Sequence, residues 1–274
     1  MQFQINNKII YLISLFTLLI SCEEVVDDFV SVSTSPVPVA DAWLTNKAGE
    51  SYVRLSFSDN FNNIGVLPQI QNATVKISNV SLGTNTFFME KSPGLYLPAE
   101  GSFVGEPLQT YQITITIEGE SWEAVAQMPN EPFIENVELV TRFNKEETES
   151  NQFLEVFLED DRQFRNYYLW RSRIDNVPFL ENQILLNNDQ GLNGEIIIYK
   201  FPEPVTADSL IEITVFSITE KANQYYRGVQ QLTTNNGLSR TVPENPPSNF
   251  SGGMLGYFTV AAMGKGALII EGED

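Results

Sequence analysis

The stretch Tyr111-Gln-Ile-Thr-Ile-Thr-Ile-Glu118 alternates apolar and polar side chains without interruption. Its three isoleucines share one face of an extended segment and the other face is polar, which is typical of a strand with one buried face. Gly119-Glu120 follows directly and predicts a two-residue hairpin loop into a second strand over residues 121–128. The stretch therefore indicates an antiparallel sheet.

Upstream of this hairpin the chain breaks into short β-rich runs separated by turn residues, and a helix has little support. The predicted strands cover residues 37–45, 51–58, 72–78, 84–90, 94–97, 109–118 and 121–128. About seven antiparallel strands in such a short region predict an immunoglobulin-like or transthyretin-like β-sandwich. We assign this domain to residues 39–130.

The segment Met128-Pro-Asn-Glu-Pro-Phe133 places two prolines among polar residues, which is typical of a domain boundary. We therefore predict a second, mainly β domain over residues 131–274. One helix is expected near residues 218–233, where apolar residues recur every three or four positions. The strands expected around it are 134–142, 152–158, 166–175, 194–200 and 209–217, followed by two short strands, Leu255–Met263 and Ala267–Ile270.

Three glycines precede or begin the closing strands: Gly252, Gly253 and Gly256. They do not form a phosphate-binding loop, because the Lys and Ser/Thr of such a loop are missing. We expect Gly252 and Gly253, between a Pro-rich loop and an aromatic strand, to permit positive φ and a close approach of the backbone where the end of the chain packs onto the sheet. The predicted fold class is thus mainly β, with two domains and one helix.

Residues 1–21 have the features of a secretory signal: Lys8, the apolar run Ile9–Ile20 and the small residue Ser21. This run is shorter than the roughly 20 apolar residues that a transmembrane helix needs. Leu19-Ile20-Ser21-Cys22 resembles a bacterial lipobox. The resemblance implies cleavage before Cys22 and acylation of Cys22, which would anchor the protein in a membrane.

Four acidic residues follow Cys22 closely: Glu23, Glu24, Asp27 and Asp28. This cluster resembles the surface-export signal of Bacteroidota lipoproteins, which implies a location in the outer membrane facing the cell exterior. The alternative is a solvated acidic tether. Residues 22–38 are predicted to be an acidic leader and flexible spacer, because the Ser/Thr run has no period and ends in a Pro-Val-Pro sequence.

The composition excludes several functions. With 35 acidic and 16 basic residues the formal charge is -19, so phosphate backbones and anionic lipid headgroups are repelled, and we expect no nucleic-acid binding. The chain has no His and one Cys, which removes Ser-His-Asp and Cys-His catalysis, His- or Cys-ligated zinc and internal disulfides. We therefore predict a protein that is not an enzyme and that has no cofactor, no catalytic residue and no metal.

Two polar segments that contain acidic residues are candidate exceptions. Glu159-Asp160-Asp161 follows a predicted strand and could supply oxygen ligands to calcium, whereas the alternative is a solvated turn. Asn187-Asn188-Asp189-Gln190-Gly191 is not an EF-hand, because its Gly is fifth rather than sixth and Ile198 stands where Glu is required. A pair of carboxylates could also hydrolyse glycosides, but no pair is distinguished from the other acidic residues.

One strand combines aromatic and basic side chains in this otherwise acidic protein. Such residues are favoured at the centres of interfaces and stack on sugars or peptides. The alternative is packing in the core, and a contact surface requires that Trp170 and Arg171 be partly exposed. The residues of this candidate contact surface are Arg165, Tyr167, Tyr168, Trp170, Arg171 and Arg173.

The order of these motifs resembles DUF4249, a family of Bacteroidota surface lipoproteins known as a domain of unknown function. The most specific match is the closing motif Ser248-Asn-Phe-Ser-Gly-Gly-Met-Leu-Gly-Tyr-Phe258. Ala42 departs from the pattern, because a Gly is common there. The other matching segments are Ala42–Asn46, Asn72–Val75, Gly94–Tyr96, Thr110–Ile113, Met128-Pro129, Asn166–Leu169 and Tyr225-Tyr226.

This resemblance implies a function, since members of the family resemble accessory lipoproteins that accompany TonB-dependent outer-membrane transporters. The expected function is that of a non-enzymatic binding or accessory subunit of such a complex, with an outer-membrane barrel as partner. Two alternatives stay open. One is an accessory subunit of another outer-membrane machine, such as barrel assembly or lipoprotein export, and the other is a hydrolase that uses two carboxylates.

Overall fold

A computed structural model describes residues 36–59, 67–101, 103–143, 150–180, 183–192, 194–205, 210–234 and 245–269. The predicted signal peptide, Cys22 and the leader acids Glu23, Glu24, Asp27 and Asp28 lie outside these residues. The described part is mainly β, as predicted, and the helix expected near 218–233 is confirmed as α1 (Glu220–Thr234). Every strand predicted in the first half is found within one or two residues of its expected limits.

The strands are β1 (Pro38–Thr45), β2 (Tyr52–Phe57), β3 (Thr74–Asn79), β4 (Thr84–Ser92), β5 (Leu95–Pro98), β6 (Thr110–Ile117), β7 (Glu120–Gln127), β8 (Phe133–Phe143), β9 (Ser150–Glu159), β10 (Tyr167–Ile174), β11 (Val177–Phe179), β12 (Leu185–Asn188), β13 (Ile196–Val205), β14 (Leu210–Ile218) and β15 (Leu255–Ile269). Strands β11 and β12 were not predicted, because each has only three or four residues and shows no alternation. Both pair with β10.

Two sheets contain these strands. The large sheet has the order β11-β10-β14-β15-β1-β2-β5-β4-β3-β6-β7, with β12 beside β10, and the small sheet has the order β13-β9-β8. The isoleucines of β6 are buried, as their alternation predicts. The hairpin loop is shifted by one residue from the prediction: it consists of Glu118 and Gly119, because Glu120 already pairs with Ile117.

Strand β15 corrects the prediction of two short closing strands, since the chain stays extended from Leu255 to Ile269. Gly264 and Gly266 do not interrupt the strand. They leave room for the first strand of the small sheet, because a Cβ at Gly264 would lie 2.5 Å from the carbonyl oxygen of Pro132, and one at Gly266 would lie 3.2 Å from Ile134.

The same strand joins the two predicted domains. β15 pairs in parallel with β1 through its first half and antiparallel with β14 through its second half. Phe258 and Val260 are consequently buried in the first core together with residues of β1 to β7. The boundary at residues 130–131 stays a prediction, but the last strand of the second region completes the core of the first.

The described residues form three hydrophobic cores. The first is formed mainly by β1 to β7 and the first half of β15, and the second lies between the β10–β14 part of the large sheet and the small sheet. The third lies on the opposite face of the large sheet, where α1 packs on Trp43, Phe216 and Tyr257. Thr219 caps the helix, since its Oγ1 accepts a hydrogen bond of 3.1 Å from the amide of Ala222.

Candidate binding groove

A groove of about 890 Å³ lies on the face of the large sheet that carries α1. Strands β1, β2, β10, β14 and β15 form its floor, because alternate residues of each strand point to this face. Its charged side chains are Asp41, Glu50, Arg54, Arg171, Arg173, Glu212 and Lys265. We call this feature the arginine groove.

Arg171 is held in the groove by two aromatic rings. Its guanidinium carbon lies 4.8 Å from the ring centroid of Trp43 and 5.1 Å from that of Phe216. The two rings pack edge to face with their centroids 5.2 Å apart, and Trp43 also packs against Tyr226 of α1. Cation–π contacts of this kind fix the position of a guanidinium and leave the N–H groups on its edge available.

Arg54 is placed in a similar way on the neighbouring strand. Its guanidinium carbon lies 4.9 Å from the ring centroid of Tyr52, and Arg54 stands opposite Asp41 in the ladder between β1 and β2. The positive charges of Arg54 and Arg171 both act to lower the pKa of the Asp41 carboxyl group. Two stacked arginines from distant parts of the chain therefore share one region of the groove.

Asp41 connects the aromatic and charged groups of this region. Its two oxygen atoms accept hydrogen bonds of 3.1 Å each from Trp43 Nε1 and from the Tyr52 hydroxyl. Burial raises the pKa of Asp41 above its ordinary value, although Tyr52 and the two arginines act in the opposite direction. Burial and the charge of Asp41 raise the pKa of Tyr52 to about 12, so this hydroxyl stays a donor at neutral pH.

Side-chain contacts hold α1 against β15 beside the groove. The hydroxyls of Tyr226 and Thr259 lie 2.8 Å apart, and burial raises the pKa of Tyr226 well above its ordinary value. Tyr225 stacks on Tyr257 with ring centroids 4.9 Å apart. These contacts attach α1 to β15, and Tyr226 lines the groove.

The far end of the groove is balanced in charge. Lys265 Nζ lies 3.4 Å from Glu50 Oε1, and Arg173 stands opposite Glu212 in the ladder between β10 and β14. Counted over the described lining residues, the arginine groove has one more basic than acidic side chain. The protein as a whole has a charge of -19, so this is a local reversal of sign.

The candidate contact surface predicted from β10 is not one surface. Arg171 and Arg173 lie in the arginine groove, whereas Tyr167 is buried in the third core and Arg165 lines a separate cavity of about 420 Å³ with Arg227 and Glu220. Alternation puts Tyr167, Arg171 and Arg173 on one face of β10, but the third core covers that face at Tyr167, whereas it is open in the groove at Arg171 and Arg173.

Trp170 and Tyr168 lie on the other face of β10, in the second core. The Trp170 side chain is 1% exposed and stacks on Tyr199 with ring centroids 4.6 Å apart. Its Nε1 donates a 2.8 Å hydrogen bond to Asn187 Oδ1. Of the two alternatives for Trp170, the structure shows core packing.

Sequence reasoning did not find Asp41, Tyr52 and Arg54. The alternation in β2 indicates that Tyr52 and Arg54 share a face, but nothing local shows that this face continues onto β10. That continuity depends on the long-range pairing of β15 with both β1 and β14.

Asp160 and Asp161, which the sequence offers as candidate calcium ligands, accept hydrogen bonds that join loops. Asp160 accepts from the Gly194 amide at 2.6 Å and from Asn166 Nδ2 at 2.9 Å, and Asp161 accepts from Asn130 Nδ2 at 2.6 Å. Within the described ranges, no three His, Cys, Asp or Glu residues are grouped to hold a metal ion. In the same ranges, no helix has the length and apolar character needed to cross a membrane.

The fold and the arginine groove define a mainly β protein with a charged, aromatic-lined groove on its largest sheet. A family model described as "Domain of unknown function (DUF4249)" matches residues 24–266. The chain therefore belongs to the DUF4249 family, and the resemblance in its motifs is confirmed at that level. No curated protein sequence matches the chain.

Proposed function

We propose that this protein is a lipid-anchored, non-enzymatic binding subunit of a TonB-dependent transport complex at the outer membrane. The observation that carries a binding role is the arginine groove. Arg54 lies over Tyr52, Arg171 lies over Trp43, and Asp41 accepts a hydrogen bond from Trp43, so contacts within the protein hold these groups in place. Pre-positioned groups of this kind favour binding, because little side-chain freedom is left to lose.

The proposed location is supported by the sequence of the leader. Cys22 stands at the position that lipidation requires, and the acids Glu23, Glu24, Asp27 and Asp28 follow it. Several acyl chains give stable membrane attachment, because each buried methylene contributes about 0.8 kcal/mol. The transporter as partner is supported by the family resemblance.

The partner is tested by isolating the intact lipoprotein in mild detergent and identifying the proteins that accompany it. We expect a TonB-dependent barrel in stoichiometric amount. Recovery of a barrel-assembly or lipoprotein-export machine instead would contradict the transporter role and support the alternative accessory role.

The anchor is tested by Cys22→Ala followed by membrane fractionation. We expect this variant to leave the membrane fraction, because acylation requires the Cys22 thiol. A variant that stays with the membrane would contradict the lipid anchor.

The surface location is tested by replacing Glu23, Glu24, Asp27 and Asp28 with Ala. Lipidation is expected to continue, whereas the protein becomes less accessible to protease added to whole cells. Unchanged accessibility would mean that the four acids are a tether rather than an export signal.

A further inference from the structure

We propose that Arg54 and Arg171 form a binding site for the carboxylate groups of an acidic ligand, with the aromatic side chains that line the arginine groove, Tyr52, Phe216 and Tyr226, contacting the rest of that ligand. This inference rests on the proposed binding role and names the chemistry that the groove recognises. The ligand would be a short acidic peptide or a small organic acid, since both present the same carboxylate.

The first argument is the state of the two guanidinium groups. Each guanidinium carbon lies over an aromatic ring, Tyr52 for Arg54 and both Trp43 and Phe216 for Arg171. Among the residues that the structure describes, neither arginine forms an ion pair within 4.0 Å. The N–H groups on their edges are therefore available to an incoming acceptor.

The second argument is geometric complementarity between the donor and its acceptor. A guanidinium edge presents parallel N–H groups that match the two oxygens of a carboxylate, and a stacked guanidinium is already oriented for this contact. Asp41, opposite Arg54, shows that a carboxylate is accommodated between these charges, although its own oxygens are engaged by Trp43 and Tyr52. A ligand carboxylate would occupy the free edges.

The third argument concerns charge and size. The described lining has an excess of only one basic side chain, and the whole chain is strongly acidic, so a highly charged polyanion such as a nucleic acid is disfavoured. A volume of about 890 Å³ lies near the upper end of small-ligand sites. It therefore accepts a peptide of a few residues as well as a small acid.

The test is calorimetric titration of the intact lipoprotein in an uncharged detergent. The main probe is the acidic pentapeptide acetyl-Ala-Glu-Leu-Glu-Ala-amide, and its matched control replaces both Glu with Gln. Succinate and inorganic phosphate form two further arms. Saturable binding of the acidic pentapeptide alone supports a peptide ligand, and binding of succinate as well supports a small organic acid.

The residues are tested by substitution. Arg54→Gln and Arg171→Gln are each expected to weaken binding by about tenfold or more, the effect of losing a charge-assisted hydrogen bond. Arg171→Lys retains the charge but not the planar edge, and it is expected to weaken binding as well. Arg227→Gln, on the exposed surface of α1, is the matched control and should bind as the native protein does.

The proposal is overturned if neither carboxylate probe binds, if phosphate binds more tightly than both, or if folded Arg54→Gln and Arg171→Gln proteins bind unchanged. Thermal melts establish that each variant is folded. Failure here is distinguishable from failure of the proposed function, because the barrel recovered in detergent does not depend on the pentapeptide. A barrel without pentapeptide binding contradicts only the ligand class, and pentapeptide binding without a barrel contradicts only the transport complex.

Discussion

At the scale of single residues, the ionisation of Asp41 contributes to the charge of the arginine groove. Asp41 is the carboxylate to which Trp43 and Tyr52 donate, and it stands opposite Arg54. Its charge compensates part of the positive charge that a ligand would meet. Protonation of Asp41 would therefore leave the groove more positive.

The stability of the protein should depend on pH through Asp41. Because burial raises its pKa above 3.8 in the folded state, the folded protein binds this proton more tightly than the unfolded chain does. The contribution of this proton to the free energy of unfolding is complete below pH 3.8 and is lost as the pH rises through the raised pKa of Asp41. We expect the free energy of unfolding of Asp41→Asn, minus that of the native protein, to increase over this pH range in chemical denaturation. A difference that stays constant or decreases as the pH rises would contradict the raised pKa of Asp41.

A second residue-level prediction concerns Trp170. Removing this side chain leaves a cavity in the second core, so Trp170→Ala should lower the free energy of unfolding by roughly 3–5 kcal/mol. Phe87→Ala is the control, because this aromatic side chain is 51% exposed, and it should cost less than about 1 kcal/mol. Chemical denaturation of both variants measures the difference, and equal costs would contradict the core assignment.

Sequence could not decide between the two alternatives for Trp170, and the reason is physical. Arg171 and Arg173 are exposed, and alternation assigns Trp170 to the opposite face of β10. Whether that other face is exposed depends on the small sheet that covers it, and no local pattern in β10 reports on β9 or β13.

At the scale of elements, the hairpin between β6 and β7 has an unfavourable residue at its turn. Glu118 has φ of 50° and Gly119 has φ of 93°, the pattern of a turn that favours Asn-Gly. Glu118→Asn is expected to stabilise the protein by about 0.5–1 kcal/mol, because Asn tolerates the left-handed region better than Glu. Glu120→Asn, two residues further along in β7, is the control and should not stabilise. A melting temperature that does not rise for Glu118→Asn would contradict this account.

A second element-level prediction concerns the start of β15. Gly256 has φ of 90°, and a Cβ there would collide with the backbone of Ala40 in β1. Gly256→Ala should therefore lower the free energy of unfolding by more than the roughly 1–3 kcal/mol that backbone strain alone would cost. Gly253→Ala is the matched control, since Gly253 has φ of 81° with open space around it. If the two variants melt alike, close pairing of β1 with β15 is not required.

The elements themselves follow from local pattern more closely than their partners do. The alternation of apolar and polar residues predicts β6, and the helical period of apolar residues predicts α1, because each signal arises within a single segment of the chain. The uninterrupted course of β15 could not be predicted, because Gly264 and Gly266 resemble a break. They are extended residues that leave space for Pro132 and Ile134 of a distant segment.

At the scale of the whole molecule, one long strand brings together residues that lie far apart in the chain. β15 is the neighbour of both β1 and β14, and β14 pairs with β10, so Trp43 of β1 contacts Arg171 of β10 across β15 and β14. The arginine groove exists only in the complete sheet. The local excess of basic side chains in a protein of charge -19 therefore results from the fold and not from any one segment of the chain.

The most direct test of the central claim, that the arginine groove binds a ligand, is the fluorescence of Trp43 during titration with the acidic pentapeptide. The chain has three tryptophans: Trp122 and Trp170 are buried in the first and second cores, and Trp43 is buried in the third core, where its ring contacts the Arg171 guanidinium. The account predicts a saturable change in the tryptophan emission of the intact lipoprotein that is lost in Trp43→Phe. A change that persists in folded Trp43→Phe, or no saturable change in the native protein, would contradict it.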